Sequence, residues 1–123
     1  MQSTPPALNA NLIMLGVAGL DAALPFYTGT LGLALQQRHG GLAFLSAGAL
    51  TLVLSEELRK AVPGGAPRDV EIVFSVSSVA ATHAALRERG VTFRTGPREI
   101  GGGYHVANFT DRDGHLLSLY GPP

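Results

Sequence analysis

The sequence contains the same order of strand and helix signals twice. In the first half, residues 11–17 form a short apolar run of strand-forming residues, and the helical pattern that follows ends at Gly32. In the second half a strand signal ends at Val76 and a helical pattern ends at Gly90, and three short strand signals follow each helix. An internal repeat of this length predicts two units that each bury one sheet face against their own helix.

The repeat sets the boundaries of two predicted βαβββ modules. We predict module one at about residues 11–55, a connector with one helical turn at residues 56–69, and module two at about residues 70–120. The strands that follow the helices are predicted at residues 34–38, 42–46, 50–55, 92–95, 104–110 and 116–120. Because each sheet has a second face to cover, we predict an α+β fold in which the modules form an incomplete barrel with a concave cleft.

Length and composition favour one globular domain over residues 1–123. The chain is 46% hydrophobic and 15% charged, which is enough to bury a core. Its formal net charge is zero and its longest basic run is Arg59-Lys60, which argues against nucleic acid or a membrane surface as partner. No cysteine is available for disulfide or thiolate chemistry, and no segment approaches the roughly 20 apolar residues of a membrane span. A cytoplasmic protein is the expectation.

Two motifs lie on this doubled framework, one in the first helix and one in the last turn. The first helix carries Phe26-Tyr27 followed by Leu31-Gly32, and residues 109–114 read Phe-Thr-Asp-Arg-Asp-Gly before the last strand. Together they resemble the vicinal oxygen chelate superfamily, which includes glyoxalase, the bleomycin resistance proteins and extradiol dioxygenases. The resemblance covers nearly the whole chain, with two departures. Gly19 stands where an acidic residue usually precedes the helix leucine, and Arg112 replaces the proline of the final turn.

In metal-using members of that superfamily, four ligands project from the concave face, one from the first and one from the last strand of each module. Aligning the modules on Gly48 and Gly114 identifies these positions as Leu12, Leu52, Glu71 and Ser118. Leucine cannot donate to a metal ion, serine is a poor ligand for zinc, iron or manganese, and one carboxylate is too few. We therefore expect a pocket that holds no metal ion and no other cofactor.

Strand alternation predicts the wall of that pocket. Met14 and Tyr120 share a face with the four positions, and Leu50 and Leu54 would join Leu52 there. The resemblance adds three residues of the strand before the final turn. The predicted ligand-binding residues are Met14, Leu52, Glu71, Tyr104, Val106, Asn108, Ser118 and Tyr120. Apolar walls with a few polar groups are typical of small-molecule sites, although for Met14 and the leucines packing in a filled core is the favoured alternative.

Glu71 is the candidate catalytic residue. A carboxylate that faces a cavity from an apolar strand would be partly desolvated, which would raise its pKa and suit a general base. A hydrated, inert carboxylate at a strand end is an equal alternative. The glycine-rich segment 96–103 is predicted to be a flexible loop, with a flap over the cleft as the alternative and Arg98 within reach of an anionic ligand. The four histidines are assigned structural or solvent-facing roles: His39, His83, His105 and His115.

Two function hypotheses follow. The first is a metal-independent small-molecule-binding protein of the glyoxalase/bleomycin-resistance type, with an apolar or aromatic ligand in the cleft. The second is a lyase or isomerase acting on a carbonyl-bearing small molecule, with Glu71 as base and Asn108, Ser118 or Tyr120 stabilising the oxyanion. The resemblance also implies a homodimer. The neutral charge argues against the cationic drugs that antibiotic-binding members typically attract.

Overall fold

The sequence repeat corresponds to two four-stranded mixed sheets. The computed structural model describes residue 5, residues 10–61 and residues 70–123. The first half consists of β1 (Leu12–Gly16), α1 (Leu20–Leu24), a π-helical segment (Pro25–Thr30), β2 (Ala34–His39), β3 (Leu42–Ala47), β4 (Leu50–Ser55) and α2 (Glu56–Ala61). The second half consists of β5 (Glu71–Ser75), α3 (Val79–Glu88), β6 (Phe93–Gly101), β7 (Tyr104–Thr110) and β8 (Leu116–Gly121).

The two sheets have the same topology. Sheet 1 has the order β1-β4-β3-β2 and sheet 2 the order β5-β8-β7-β6. In each sheet the first and last strands of the module pair in parallel, and the remaining pairs are antiparallel. The predicted α+β fold with two βαβββ modules is confirmed. The helical turn predicted in the connector is α2, and residues 62–69 of the connector lie outside the described residues. No helix in the described ranges is long and apolar enough to cross a membrane.

The start of α1 is stabilised by carboxylates from other elements. Gly19 at the N-cap has no side chain to accept a hydrogen bond, and the backbone N–H of Leu20 donates instead to the Glu56 carboxylate at 2.9 Å. The neighbouring N–H of Ala18 donates to Asp113 at 3.0 Å. Negative charge at a helix N-terminus is favourable because the first N–H groups have no partner within the helix. Glu56 thus supplies the acidic group that the sequence lacks at position 19.

One hydrophobic core joins the helix-facing sides of both sheets. Val17, Leu20 and Tyr27 from the first half and Phe109 and Leu117 from the second are almost completely buried in it. The opposite sides of the sheets carry exposed apolar residues. These residues are Leu12 and Met14 on sheet 1, exposed at 43% and 42%, and Val73 and Tyr104 on sheet 2, at 48% and 46%. Each sheet therefore has one packed face and one open face.

The structure corrects the predicted facing of Leu52. β3 and β4 are joined by residues 48–49, whereas β7 and β8 are joined by residues 111–115, so Gly48 and Gly114 are not equivalent. Leu52 pairs with Ile13 as Leu117 pairs with Ile72, and it is fully buried in the core. Shifting a strand by one residue moves every side chain to the other face. The residue of β4 that corresponds to Ser118 is Val53, and the predictions that Leu50, Leu52 and Leu54 line a cavity are wrong.

The glycine-rich segment also differs from the prediction. Residues 96–101 were expected to form a loop or flap, yet they belong to β6, which pairs with β7 along its length. The pairing is irregular, with register shifts between Phe93 and Thr95, between Thr95 and Arg98, and between Glu99 and Gly101. Hydrogen bonding to β7 therefore overrides the weak strand preference of glycine and proline, and the irregularities accommodate them.

Candidate functional site

The open face of sheet 2 contains a cavity of about 560 Å³. Its volume is within the roughly 300–1,000 Å³ range of small-molecule sites. All four strands of the sheet contribute to it, and sheet 1 contributes no lining residue. The lining residues are Glu71, Arg94, Thr95, Arg98, Ile100, Val106, Asn108 and Leu116. The module-two residues of the predicted site therefore lie on one surface, whereas Met14 lies on the open face of sheet 1.

A continuous chain of polar side chains crosses this face from β6 to β5. Arg98 Nη1 donates to Thr95 Oγ1 at 2.7 Å and to Asn108 Oδ1 at 3.0 Å, and Thr95 Oγ1 donates to Asn108 Oδ1 at 2.8 Å. Asn108 Nδ2 then donates to Ser118 Oγ at 2.6 Å, and Ser118 Oγ donates to Glu71 Oε2 at 2.7 Å. We call these five residues the polar chain. Every bond between side chains along it is directed from the guanidinium towards the carboxylate, and the backbone N–H of Asn108 also donates to Thr95 Oγ1 at 3.2 Å.

The polar chain satisfies a buried group at its centre. Ser118 lies on β8 between two neighbouring strands and its side chain is fully buried, so an unpaired hydroxyl there would be costly. Its two hydrogen bonds, to Asn108 and to Glu71, remove that cost. Glu71 itself is exposed at the edge strand, so the partly desolvated carboxylate predicted from the sequence is not observed in the single chain.

An aromatic pair lies beside the cavity on the same face. The rings of Tyr104 and Tyr120 are stacked, with centroids 5.3 Å apart and an interplanar angle of 1°. Val106, which lines the cavity, pairs with Tyr120 across β7 and β8. Together with the exposed Val73, these residues form an apolar surface that continues from the cavity. The predicted facing of Tyr104, Val106 and Tyr120 is confirmed.

Sequence reasoning missed three residues of the cavity wall, Arg94, Thr95 and Ile100. Regular alternation after Phe93, which faces the core, allows Arg94 on the open face but not its neighbour Thr95. The register shift between Phe93 and Thr95 is what allows both to line the cavity. The sequence signal that could have pointed to this side of the cavity is the presence of two arginines, Arg94 and Arg98, within one short segment.

The four positions that correspond to the superfamily's metal ligands do not suit a metal ion here. With the corrected register they are Leu12, Val53, Glu71 and Ser118. They offer one carboxylate and one hydroxyl, and that hydroxyl is buried and already bonded to the carboxylate. Within the described ranges, no three His, Cys, Asp or Glu side chains lie together as a metal site would require.

A second polar cluster joins the two halves of the chain and lies away from the cavity. Asp111, in the turn between β7 and β8, accepts hydrogen bonds from Tyr27 Oη at 2.6 Å and from His115 Nδ1 at 2.7 Å. Burial by itself would raise the pKa of Asp111, and the hydrogen bonds from His115 and Tyr27 outweigh burial, so its pKa is held below the usual value. Burial, followed by the neighbouring Asp111 carboxylate, raises the pKa of Tyr27. This cluster is structural.

The remaining histidines take part in packing. His83 on α3 lies against Phe93 with ring centroids 4.3 Å apart, and His39 stacks on Phe44 at 6.0 Å. Burial, followed by the charge of Arg87, lowers the pKa of His83. His105 faces away from the cavity, and its buried Nδ1 has no hydrogen-bond partner among the described residues.

The family model described as the glyoxalase/bleomycin resistance protein/dioxygenase superfamily matches residues 9–119. The chain belongs to this superfamily. No match was found among the curated proteins.

Solved structures of similar fold come from several bacteria. A glyoxalase/bleomycin resistance protein/dioxygenase from Nocardioides has a TM-score of 0.81 and 24% identity, covering 96% of this chain and 85% of its own. TnmS3, an antibiotic-binding protein from Streptomyces sp. CB03234, has a TM-score of 0.78 and 24% identity, covering 98% and 100%. A lactoylglutathione lyase from Agrobacterium tumefaciens has a TM-score of 0.76 and 20% identity, covering 96% of both chains. At these identities the likeness establishes the fold.

Proposed function

We propose that this superfamily member is a metal-independent small-molecule-binding protein whose ligand lies on the open face of sheet 2. The observation that carries the proposal is the cavity of about 560 Å³, with a fixed polar chain across it and a tyrosine pair beside it. Small-molecule sites combine apolar walls with a few well-placed polar groups. The donor set at Leu12, Val53, Glu71 and Ser118 supports metal independence, and TnmS3 is a precedent for ligand binding on this fold.

An aromatic or apolar ligand is favoured by the exposed residues around the cavity. Tyr104, Tyr120 and Val73 are exposed at 46%, 36% and 48%, although large apolar side chains are usually buried. Two parallel, stacked rings offer a flat surface for a third aromatic group, and such contacts contribute about 0.5–1.5 kcal/mol beyond the area they bury. We therefore propose that the apolar part of the ligand contacts this tyrosine pair.

The aromatic contact is tested by substituting the tyrosines. With the neutral probe 2-naphthamide, Tyr104→Leu and Tyr120→Leu are each expected to raise the dissociation constant about 2–10-fold, because each removes one stacking ring. Calorimetric titration measures the affinity. The chain has three tyrosines and no tryptophan, and Tyr27 is buried, so quenching of tyrosine emission reports directly on the pair.

Tyr120→Phe is the matched control, since it keeps the ring and removes only the hydroxyl. It is expected to bind 2-naphthamide as the unmodified protein does. Failure of 2-naphthamide to bind, or equal affinity in all these variants, would contradict binding at this surface.

The enzymatic alternative assigns Glu71 as a general base. In its favour, Glu71 lines the cavity and only its Oε2 is bonded to Ser118. Against it, the hydroxyl proton of Ser118 is directed to Glu71, so that hydroxyl is not free to stabilise an oxyanion, and one of the two amide N–H donors of Asn108 is taken by Ser118.

Glu71→Gln separates the two functions. For a binding protein we expect 2-naphthamide affinity to change less than about threefold, because glutamine still accepts the Ser118 hydrogen bond and the probe is neutral. The bound compound should be recovered unchanged, as chromatography of the ligand after incubation will check. Conversion of a carbonyl-bearing ligand that stops in the Glu71→Gln protein would instead support the lyase or isomerase.

We also propose that the chain is a single domain that acts as a homodimer in the cytoplasm. The shared core of the two halves supports a single domain, and the exposed Leu12, Met14 and Val73 on the open faces support association. Sedimentation analysis will distinguish the 12.8 kDa chain from twice that mass.

A further inference from the structure

We infer that the ligand carries an oxyanion, such as a carboxylate, which binds to Arg94 and Arg98 on β6. The inference rests on the proposed function and specifies the chemical class of the ligand, an amphipathic organic acid. It follows from the charges on the cavity wall, the orientation of Arg98 and the position of the apolar residues beside it.

The cavity wall carries an excess of positive charge at one side. Two guanidinium groups, Arg94 and Arg98, lie on β6, and the single carboxylate, Glu71, lies on β5 at the opposite edge of the sheet. Three strand spacings separate β5 from β6, which is about 14 Å at the usual spacing. Of the ion pairs formed between described residues, none includes Arg94 or Arg98. The charge at this side of the cavity is therefore uncompensated by a neighbouring carboxylate.

Arg98 is held in a fixed orientation before any ligand binds. Its Nη1 donates to Thr95 and Asn108, at 2.7 and 3.0 Å, and so uses one end of the guanidinium. The Nε and Nη2 donors of Arg98 form no hydrogen bond with other side chains or backbone groups of the described residues. A guanidinium presents these two donors side by side, which matches the two oxygens of a carboxylate. Fixing the side chain in advance lowers the entropic cost of binding.

The orientation of Arg98 depends on the irregular pairing of β6 with β7, in which Thr95 lies opposite Asn108. The register shifts on either side of Thr95 bring Arg94, Thr95 and Arg98 to one surface, which regular alternation would not do. Bulges of this kind are frequent next to binding sites because they redirect side chains. The same strand adds Ile100 to the wall, and Val106 lies beside it on β7, so an oxyanion at the arginines has an apolar surface next to it.

A pair of probes that differ only in charge tests the inference. We expect 2-naphthoate to bind about tenfold more tightly than the neutral 2-naphthamide, because a charge-assisted contact with arginine is stronger than a neutral hydrogen bond. Arg94→Gln and Arg98→Gln are each expected to weaken 2-naphthoate about tenfold and to weaken 2-naphthamide by less than about threefold. Raising the salt concentration should weaken only 2-naphthoate.

The controls separate a charge contact from a loss of structure. The side chain of Arg94 forms no hydrogen bond with the described residues, so Arg94→Gln leaves the polar chain intact. Thermal unfolding will check that Arg94→Gln and Arg98→Gln remain folded. Arg87→Gln removes the same charge from α3, outside the cavity, and is expected to change neither affinity.

Equal affinity for the two naphthalene probes, or equal weakening of both by Arg94→Gln and Arg98→Gln, overturns the inference and leaves the proposed function in place. Binding of neither probe contradicts the proposed function itself, and the inference falls with it.

Discussion

Replacing Asp111 by alanine is expected to lower the free energy of unfolding by about 3–5 kcal/mol, because it removes one partner of a buried, charged cluster. The Asp111 side chain is 1% exposed and accepts hydrogen bonds from Tyr27 Oη, His115 Nδ1 and the backbone N–H groups of Asp113 and His115. Alanine leaves all of these donors without a partner in a site that excludes water. Urea unfolding followed by circular dichroism measures the loss.

Asp21→Ala is the control for the loss of an aspartate at the surface. Asp21 forms an ion pair with Arg38 at 2.9 Å, but its side chain is 92% exposed. Exposed pairs of this kind contribute about 0–1 kcal/mol, so we expect a change in that range. A loss from Asp111→Ala as small as that from Asp21→Ala would show that the Asp111 cluster does not join the two halves of the chain.

The lowered pKa of Asp111 adds a pH dependence with a definite sign. Burial raises the pKa of Asp111, but the hydrogen bonds from His115 and Tyr27 lower it by more than burial raises it. The pKa in the folded protein is therefore below the unfolded value of about 3.9. The stability that this carboxylate contributes is present above the unfolded pKa and is lost as the pH falls through the folded pKa. The difference in stability between the unmodified protein and Asp111→Ala should therefore shrink below about pH 4.

The fold follows from the sequence because its signals are local and occur twice. Apolar periods, helix ends at glycine and turn residues are set by neighbours along the chain, and agreement between the two modules reinforces them. The shared facing of Ser118 and Tyr120 on β8 was predicted correctly for a similar reason, and that of Asn108 was implied by the family resemblance. Alternation along the regular strands β7 and β8 determines which side chains share a face.

The site was predicted only in part, because its other features depend on pairing between strands. The pairing of β6 with β7 creates the register shifts around Thr95, and no local pattern in a segment rich in glycine and proline predicts them. The network of Tyr27, Asp111 and His115 is similarly non-local, since Tyr27 and Asp111 are 84 positions apart in sequence. The sequence placed Asn108 and Ser118 on one face, but their hydrogen-bond partners required the structure.

The same turn that contains Asp111 fixes the position of the polar chain. It connects β7, which carries Asn108, to β8, which carries Ser118, and Asp113 within it accepts a hydrogen bond from Ala18 near the start of α1. The structural cluster therefore holds the β7–β8 hairpin against the first half, and the open face of that hairpin carries Asn108 and Ser118 of the polar chain. Packing on one face and the proposed ligand binding on the other would account for the polar side chains at both.

The corrected register of β4 predicts different outcomes for two leucines that the sequence had assigned to one cavity wall. Leu52→Ala is expected to lower the free energy of unfolding by about 2–5 kcal/mol, because Leu52 is fully buried and its removal leaves a cavity in the core. Leu12→Ala removes the same atoms from a side chain that is 43% exposed, so a loss below about 1 kcal/mol is expected. Chemical unfolding of the two variants side by side measures both.

The comparison decides which face of sheet 1 carries Leu52, because truncating a buried side chain costs much more stability than truncating an exposed one. The larger loss is the expectation for Leu52. If Leu52→Ala instead cost no more stability than Leu12→Ala, Leu52 would face the open side of sheet 1. The one-residue offset between the strand that follows Gly48 and the strand that follows Gly114 would then be wrong, and with it the assignment of Val53 to the position of Ser118.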